Sequence, residues 1–99
     1  MSHHRLRIAR IVQETADARS FELDVPPDLA GAFRYEPGQF LTFRVPWKEG
    51  ETLLRCYSLS SAPQTDAKPK VTVKRVEAGR VSNWFHDALR EGDVLDVMV

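Results

Sequence analysis

The sequence has a single cysteine, no excess of charge of either sign and no long apolar run. Because Cys56 stands alone, the chain cannot form an internal disulfide, a four-thiolate iron–sulfur cluster or a multi-cysteine zinc site. Lys plus Arg number 14 and Asp plus Glu number 14, so the formal net charge is zero. This balance argues against nucleic acid or an anionic membrane as partner, since both attract a basic surface.

Hydrophobic targeting segments and catalytic signatures are also missing. No stretch approaches the roughly 20 apolar residues of a membrane-spanning helix, and the amino-terminal residues carry no apolar signal core. We therefore expect a cytoplasmic protein. The sequence contains no glycine-rich nucleotide loop, no paired-histidine zinc motif and no nucleophile elbow, and it indicates neither a catalytic residue nor a metal ligand.

The pattern that is present is an alternation of apolar and polar residues with a period of two. Ninety-nine residues, 42% hydrophobic and 28% charged, suit one domain with a buried core. The alternation predicts six short strands, the first with an irregularity near Ile11 and Val12. These strands are Leu6–Val12, Phe21–Val25, Gln39–Pro46, Leu54–Leu59, Val71–Val76 and Val94–Val99.

The period changes once, after the fifth strand. Ser82 is a good N-cap and Gly92 a good C-cap, so a helix is predicted over Asn83–Glu91. Its apolar face consists of Trp84, Phe85, Ala88 and Leu89. Six strands with short links and one helix predict an all-β fold, a six-stranded antiparallel Greek-key barrel. The helix, between strands five and six, is expected to cap one end of that barrel.

The fourth strand contains the first candidate site, Arg55-Cys56-Tyr57-Ser58. Arg55 and Tyr57 point to one face of a strand, where a fixed positive fork and a flat ring suit a ligand with a phosphate and a planar ring. Cys56 is expected to face the barrel interior as a packing residue. The alternative is that Arg55 is only a surface charge and Tyr57 only covers the barrel.

A second candidate site, Gly79-Arg80-Val81-Ser82, precedes the predicted helix. Free N–H groups and the positive end of the helix dipole would converge there on an anion, and Arg80 would add charge. The alternative is an ordinary capped helix start.

A third candidate is Thr72-Val73-Lys74-Arg75 on the fifth strand. Thr72 and Lys74 share a face and Arg75 lies opposite. This segment forms either a wall of the same anion site or a solvated strand face.

In this order, the motifs resemble the flavin domain of the ferredoxin–NADP reductase superfamily. Four short signatures of that family are matched across essentially the whole chain, by Pro37-Gly38-Gln39-Phe40, by Arg55, Tyr57 and Ser58, by Val73-Lys74, and by Gly79-Arg80-Val81-Ser82. The residues in these motifs are similar to those of reductase components of bacterial oxygenases, of the ketosteroid 9α-hydroxylase and phenylacetyl-CoA epoxidase types.

The resemblance implies roles for these residues. Arg55 would pair with the flavin phosphate, and Tyr57 would stack on the isoalloxazine ring. Ser58 would form a hydrogen bond near N5 of that ring, although strand alternation places Ser58 on the face opposite Tyr57. Thr72, Val73 and Lys74 would line the cofactor through their backbone. Arg80, Val81 and Ser82 would hold the pyrophosphate. FAD is favoured over FMN.

The resemblance also implies a reaction and partners. NAD(P)H would reduce the flavin, and electrons would pass to an iron–sulfur protein or a fused ferredoxin domain. Residues 1–99 would be the flavin-binding domain alone, truncated before its closing segment and an NAD(P)-binding domain, and inactive without them. The alternatives are a small barrel that binds a partner without cofactor and, least favoured by the neutral charge, an oligonucleotide-binding barrel.

Overall fold

The computed structural model describes residues 3–36, 38–46, 50–62, 64, 66–77 and 79–98. Within these residues the chain forms six strands, one α-helix, α1 (Arg80–Asp87), and a 3-10 turn at Pro27–Leu29. The strands are β1 (His3–Gln13), β2 (Ala18–Asp24), β3 (Phe40–Pro46), β4 (Thr52–Ser58), β5 (Lys70–Lys74) and β6 (Val94–Met98). The expected all-β fold with a helix between the last two strands is confirmed.

All six strands belong to one antiparallel sheet with the order β4-β3-β6-β1-β2-β5. The order β6-β1-β2-β5, in which the last strand returns beside the first, is of the Greek-key type. The β3–β4 hairpin then extends the sheet on the far side of β6. As a result, β4 and β5, which follow each other in the chain, lie at opposite edges of the sheet.

The two edge strands meet where β4 ends and β5 begins. Leu59 and Val71 form an isolated antiparallel bridge, and the N–H of Ser60 donates to the carbonyl of Lys70 at 2.7 Å. Between the described residues of these edges there is no continuous ladder, so the sheet curls toward a barrel without closing fully. We call the line between β4 and β5 the seam.

Helix α1 fills the interior that the curled sheet encloses. Phe85 is fully buried, and the centroid of its ring lies 5.2 Å from that of Phe21 and 5.5 Å from that of Phe43, both also fully buried. His86, also buried, approaches the carbonyl oxygen of Val73 with Nε2 at 2.8 Å. The predicted capping role of the helix agrees with this packing.

The sequence-based prediction of the helix boundaries and of both helix caps is wrong. The helix begins at Arg80 rather than Asn83, with Gly79 at the N-cap, and it ends at Asp87 with Ala88 at the C-cap. Gly92 is therefore not the helix cap. Gly92 lies in a turn with a φ of +90°. Its N–H donates to the carbonyl of Ile8 at 2.8 Å, at the irregularity of β1.

The irregularity of β1 itself lies between Ile8 and Arg10, slightly earlier than predicted. Pro37, residues 47–49 and Val99, which fall in or beside predicted motifs and strands, lie outside the described residues. No described helix has the length and hydropathy needed to span a membrane. The described residues also contain no group of three or more His, Cys, Asp or Glu side chains arranged to hold a metal ion.

Candidate functional site

Arg55 and Tyr57 share the inner face of β4, beside the seam. Arg55 is exposed, and its guanidinium donates to the carbonyl of the preceding residue, Leu54, at 2.8 Å. Its side chain remains exposed although it lies on the inner face, because β4 is an edge strand. A fixed positive charge is thus available at the seam, and Arg55 and Tyr57 lie on the same face of the strand.

Tyr57 is half-buried and connects β4 to the helix. Its ring centroid lies 5.3 Å from that of Phe85, at an interplanar angle of 66°, and 6.1 Å from that of Phe43. Burial raises the pKa of the Tyr57 hydroxyl above its usual value, and the nearby Arg55 charge opposes that shift. The neutral ring therefore presents a flat, partly exposed surface next to a guanidinium.

Cys56 and Ser58 lie on the outer face of β4, and the prediction that Cys56 faces the interior is wrong. Its side chain is exposed, and its Sγ lies 3.3 Å from the Oγ1 of Thr42. Ser58 is exposed and pairs with Phe40. Alternation decides which residues share a face but not which face is buried, and here the inner face carries the arginine because the seam is open.

The residues predicted on β5 divide between the two faces of the sheet. Val73 is fully buried inside, and Lys74 is exposed. The hydroxyl of Thr72 donates to the Oγ of Ser60 at 2.8 Å and lies 2.8 Å from the Oγ of the buried Ser20. Thr72 therefore fixes Ser60, two residues beyond the end of β4, and its hydroxyl is engaged within the protein.

The start of α1 is a compact turn built on Gly79. The Oγ of Ser82 accepts from the N–H of Val76 at 3.0 Å and donates to the carbonyl of Gly79 at 3.5 Å. A Cβ on Gly79 would lie 2.6 Å from that Oγ and 3.0 Å from the Cβ and carbonyl oxygen of Val76. Ser82 is therefore an internal brace, and what the turn can offer an anion is its backbone N–H groups.

The sequence motifs that are distant in the chain meet at the end of β4. The carbonyl of Gln39 accepts from the N–H of Leu59 at 2.7 Å, which ties the Gly38–Phe40 part of the first signature to the motif strand. Gly38 has a φ of +87°, which a glycine adopts without strain. These connections are long-range backbone pairings that the local pattern did not reveal.

One residue of the third candidate segment has a function in the architecture that the sequence did not indicate. Arg75 was expected opposite Thr72 and Lys74 on a strand face, but β5 ends at Lys74. Its guanidinium instead reaches α1, where it donates to Asn83 and to both carboxylate oxygens of Asp87. No spacing rule links a residue that follows a strand to the far end of the next helix.

Three elements contact one another at the seam: the end of β4, strand β5 and helix α1. The contacts are the ring pair Tyr57–Phe85, the hydrogen bond from Thr72 to Ser60 and the approach of His86 to the carbonyl of Val73. Arg55 supplies a fixed cation, Tyr57 a planar surface and the helix start a set of N–H donors. This donor set suits a ligand that combines a flat ring system with phosphate, and flavin nucleotides have that composition.

Comparisons with known proteins indicate the same class of ligand. Residues 5–98 match the model of the oxidoreductase FAD-binding domain family. The ferredoxin reductase component of 3-ketosteroid-9-alpha-monooxygenase from Rhodococcus rhodochrous is 48% identical over 93 residues, covering 94% of this chain and 26% of the relative. One component of the 1,2-phenylacetyl-CoA epoxidase of Escherichia coli K12 is 38% identical over 96 residues, covering 97% of this chain and 26% of the relative.

Among solved structures, phthalate dioxygenase reductase superposes with a TM-score of 0.72 at 34% identity, covering 98% of this chain and 29% of that one. The chain spans about a quarter of the length of these two curated relatives. The expected resemblance to oxygenase reductase components is confirmed. The match over nearly all of its residues shows that this chain belongs to the family of oxidoreductase FAD-binding domains.

Proposed function

We propose that this chain is the FAD-binding barrel of an NAD(P)H-dependent reductase that passes electrons to an iron–sulfur partner of an oxygenase. The observation that carries the proposal is the position of Tyr57, whose ring contacts Phe85 of α1 while Arg55 stands on the same face of β4. The names of the relatives support the reaction. They include ferredoxin reductase components and a reductase described as transferring electrons from pyridine nucleotides to [2Fe-2S].

Each candidate residue receives a role in this proposal. Arg55 pairs with a flavin phosphate, and Tyr57 presents its ring to the isoalloxazine. The backbone of Thr72, Val73 and Lys74 lines the cofactor. Arg80, Val81 and Ser82 hold the pyrophosphate at the helix start, Ser82 through its N–H because its hydroxyl braces Val76. Cys56 and Ser58 contribute backbone only, since their side chains lie on the outer face.

The flavin, when bound, supplies a hydride acceptor that can release electrons one at a time. The protein holds and orients it, and Tyr57 and Phe85 keep water from the inner side of its binding surface. An NAD(P)-binding domain in the same polypeptide is part of the proposal. It rests on the greater length of the relatives, of which this chain covers about a quarter.

The experiment is a titration of the chain with FAD, followed by quenching of FAD fluorescence. We expect saturable binding in the parent and a loss of binding of at least about tenfold, about 1.4 kcal/mol, in the double variant Arg55→Ala, Tyr57→Ala. Arg10→Ala is the matched control, because Arg10 is an exposed strand arginine on β1, which β3 and β6 separate from β4. If the double variant bound FAD as well as the parent, the residue assignment would be wrong.

The same titration separates the remaining possibilities. Mass analysis of the flavin that the folded chain retains distinguishes FAD from FMN. A folded chain that takes up neither flavin would favour the alternative, a small barrel that serves only as a protein-binding module.

A further inference from the structure

Arg75 joins the end of strand β5 to both turns of helix α1. One guanidinium nitrogen donates to the Oδ1 of Asn83 at 2.8 Å and to Asp87 at 3.1 Å, and the other donates to Asp87 at 2.7 Å. The backbone N–H of Arg75 donates to the carbonyl of Asp17 at 2.6 Å, so the residue that makes these contacts is itself fixed to the β1–β2 turn.

These contacts enclose the turn that leads into the helix. The turn begins at Val76, directly after Arg75, and leads into the first half of the helix. Asn83, which Arg75 contacts, is the last residue of that half. Inside it, the carbonyl of Val76 accepts from the N–H of Gly79 at 2.8 Å and from the side-chain amide of Asn83 at 3.3 Å. Arg75 thus holds the two ends of the proposed phosphate-binding turn at a fixed separation.

Other contacts also anchor α1. Ser82 and the buried Val81 hold its first turn from within, and three further residues hold its second turn. Arg19 donates to the carbonyl of His86 at 2.7 Å, and the imidazole of His86 contacts the carbonyl of Val73 at 2.8 Å. Phe85 packs in the core. Arg75 differs from the anchors of the first turn because it reaches Asn83 from outside the turn.

The Arg75–Asp87 ion pair is exposed, so its effect on the position of the turn can be separated from its effect on the stability of the fold. The side chains of Arg75 and Asp87 are 37% and 65% exposed, and exposed ion pairs contribute little to global stability. A planar, bidentate arginine contact nevertheless fixes geometry more strictly than a lysine would, because its fork matches the carboxylate. The contact can thus determine the position of the turn while its removal leaves the fold intact.

We propose that Arg75 is a positioning residue for the phosphate-binding turn, and that it sharpens the preference of the site for phosphate-bearing flavins. This inference rests on the proposed function, since it assigns Arg75 to the same site. Arg75 acts through Asn83 and Asp87 and does not touch the ligand. Its loss should weaken binding of FAD, which has a pyrophosphate, and spare riboflavin, which has none.

The test compares Arg75→Gln, Arg75→Lys and the control Arg10→Gln with the parent by titration with FAD and, separately, with riboflavin. In Arg75→Gln we expect the Kd for FAD to rise about threefold to tenfold and the Kd for riboflavin to stay unchanged. Arg75→Lys should restore part of the difference, and Arg10→Gln should match the parent. Thermal unfolding of all three variants should stay close to that of the parent.

A second measurement does not depend on flavin. Amide hydrogen exchange of residues 79–83, followed by NMR on the FAD-free chain, should be faster in Arg75→Gln than in the parent, because the turn has lost its external anchor. Parallel weakening of FAD and riboflavin binding, or unchanged FAD affinity and exchange, would overturn the role of Arg75. A parent chain that binds no FAD overturns the proposed function instead, and the exchange rates alone then decide whether Arg75 positions the turn.

Discussion

The ring of Tyr57 packs edge-on against the ring of Phe85, with centroids 5.3 Å apart. This contact joins an edge strand of the sheet to the helix that fills the barrel. Because Phe85 also contacts Phe21 and Phe43, the orientation of Tyr57 is set by the core and not by the surface. A residue proposed to contact a ligand is therefore held in place before any ligand arrives.

Replacement of Tyr57 tests two roles of its ring, the packing against Phe85 and the proposed contact with the flavin. Tyr57→Ala should lower the free energy of unfolding by about 1–2 kcal/mol, because a half-buried aromatic ring is lost from the face of Phe85. It should also raise the Kd for FAD about tenfold, which corresponds to about 1.4 kcal/mol. Chemical denaturation and fluorescence titration measure the two effects.

Tyr57→Phe is the control for this prediction. It keeps the ring and removes only the hydroxyl, so we expect stability within about 0.5 kcal/mol of the parent and FAD affinity within about twofold. If Tyr57→Phe lost as much affinity as Tyr57→Ala, the hydroxyl and not the ring plane would make the important contact.

Gly79 should tolerate no side chain. In Gly79→Ala the new Cβ would crowd the Oγ of Ser82 at 2.6 Å and the backbone carbonyl of Val76 at 3.0 Å. We expect a loss of about 1–3 kcal/mol in the free energy of unfolding, since the turn must open to accept the methyl group. Weaker FAD binding should accompany it.

Gly31→Ala is a matched control, because a Cβ at Gly31 would meet nothing within 4 Å. Its stability should stay within about 0.5 kcal/mol of the parent. Equal stability of Gly79→Ala and Gly31→Ala would show that the contacts of Gly79 with Val76 and Ser82 do not restrict a side chain there.

Cys56 should react with thiol reagents in the folded protein. Its side chain is exposed on the outer face of β4, away from Tyr57, so an aromatic disulfide reagent should modify it at the same rate with and without FAD. Cys56→Ser should abolish the reaction and leave the Kd for FAD within about twofold of the parent. Reaction only after addition of denaturant, or protection by FAD, would place the side chain on the inner face.

Asp87 should make the free energy of unfolding decrease at acidic pH. Its pKa is lowered, first by the hydrogen bond from Arg75, with smaller contributions from the charges of Arg75, His86 and Arg19. A carboxyl group with a lowered pKa in the folded state stabilises the fold above its unfolded pKa of about 3.9, and this stabilisation disappears as the pH falls through the folded value.

The stability difference between the parent and Asp87→Asn should be small, because the pair is exposed. It should be largest near neutral pH and vanish at the lowest pH of the series. Thermal unfolding between about pH 7 and pH 2.5 measures it. Asp28→Asn, which changes an exposed aspartate in the 3-10 turn far along the chain from α1, should keep the pH dependence of the parent. A constant difference between the parent and Asp87→Asn at all pH values would contradict the ion pair.

The sequence predicted the elements better than their boundaries and faces. Alternation identified all six strands, and all of them except β4 bury one side against the interior. It misplaced Cys56, because the rule that a charged residue points outward fails where the inner face of an edge strand stays open. Ser82 resembled an N-cap, but its hydroxyl accepts from the N–H of Val76, where the turn begins. The helix begins at Arg80, three residues before the predicted start.

The arrangement of the sheet required information that no local pattern contains. Strand β6 pairs with β3 on one side and β1 on the other, and Arg75 forms an ion pair with Asp87. Both arrangements join residues that only the folded chain brings together. The site motifs were identifiable because the resemblance supplied their order. The convergence of β4, β5 and α1 was not readable from spacing.

The seam between β4 and β5 gives this domain an unusual relation between ligand and fold. Strands that follow each other in the chain occupy the two outermost positions of the sheet. The described residues join them through the Leu59–Val71 bridge and a few hydrogen bonds of Ser60 and Ser61 rather than through a continuous ladder. A ligand that rests on β4 and reaches the helix start after β5 would act as a non-covalent cross-link between those edges. Binding to the folded chain alone would raise the unfolding free energy by RT ln(1 + [L]/Kd), so the melting temperature would rise with the concentration of the free ligand.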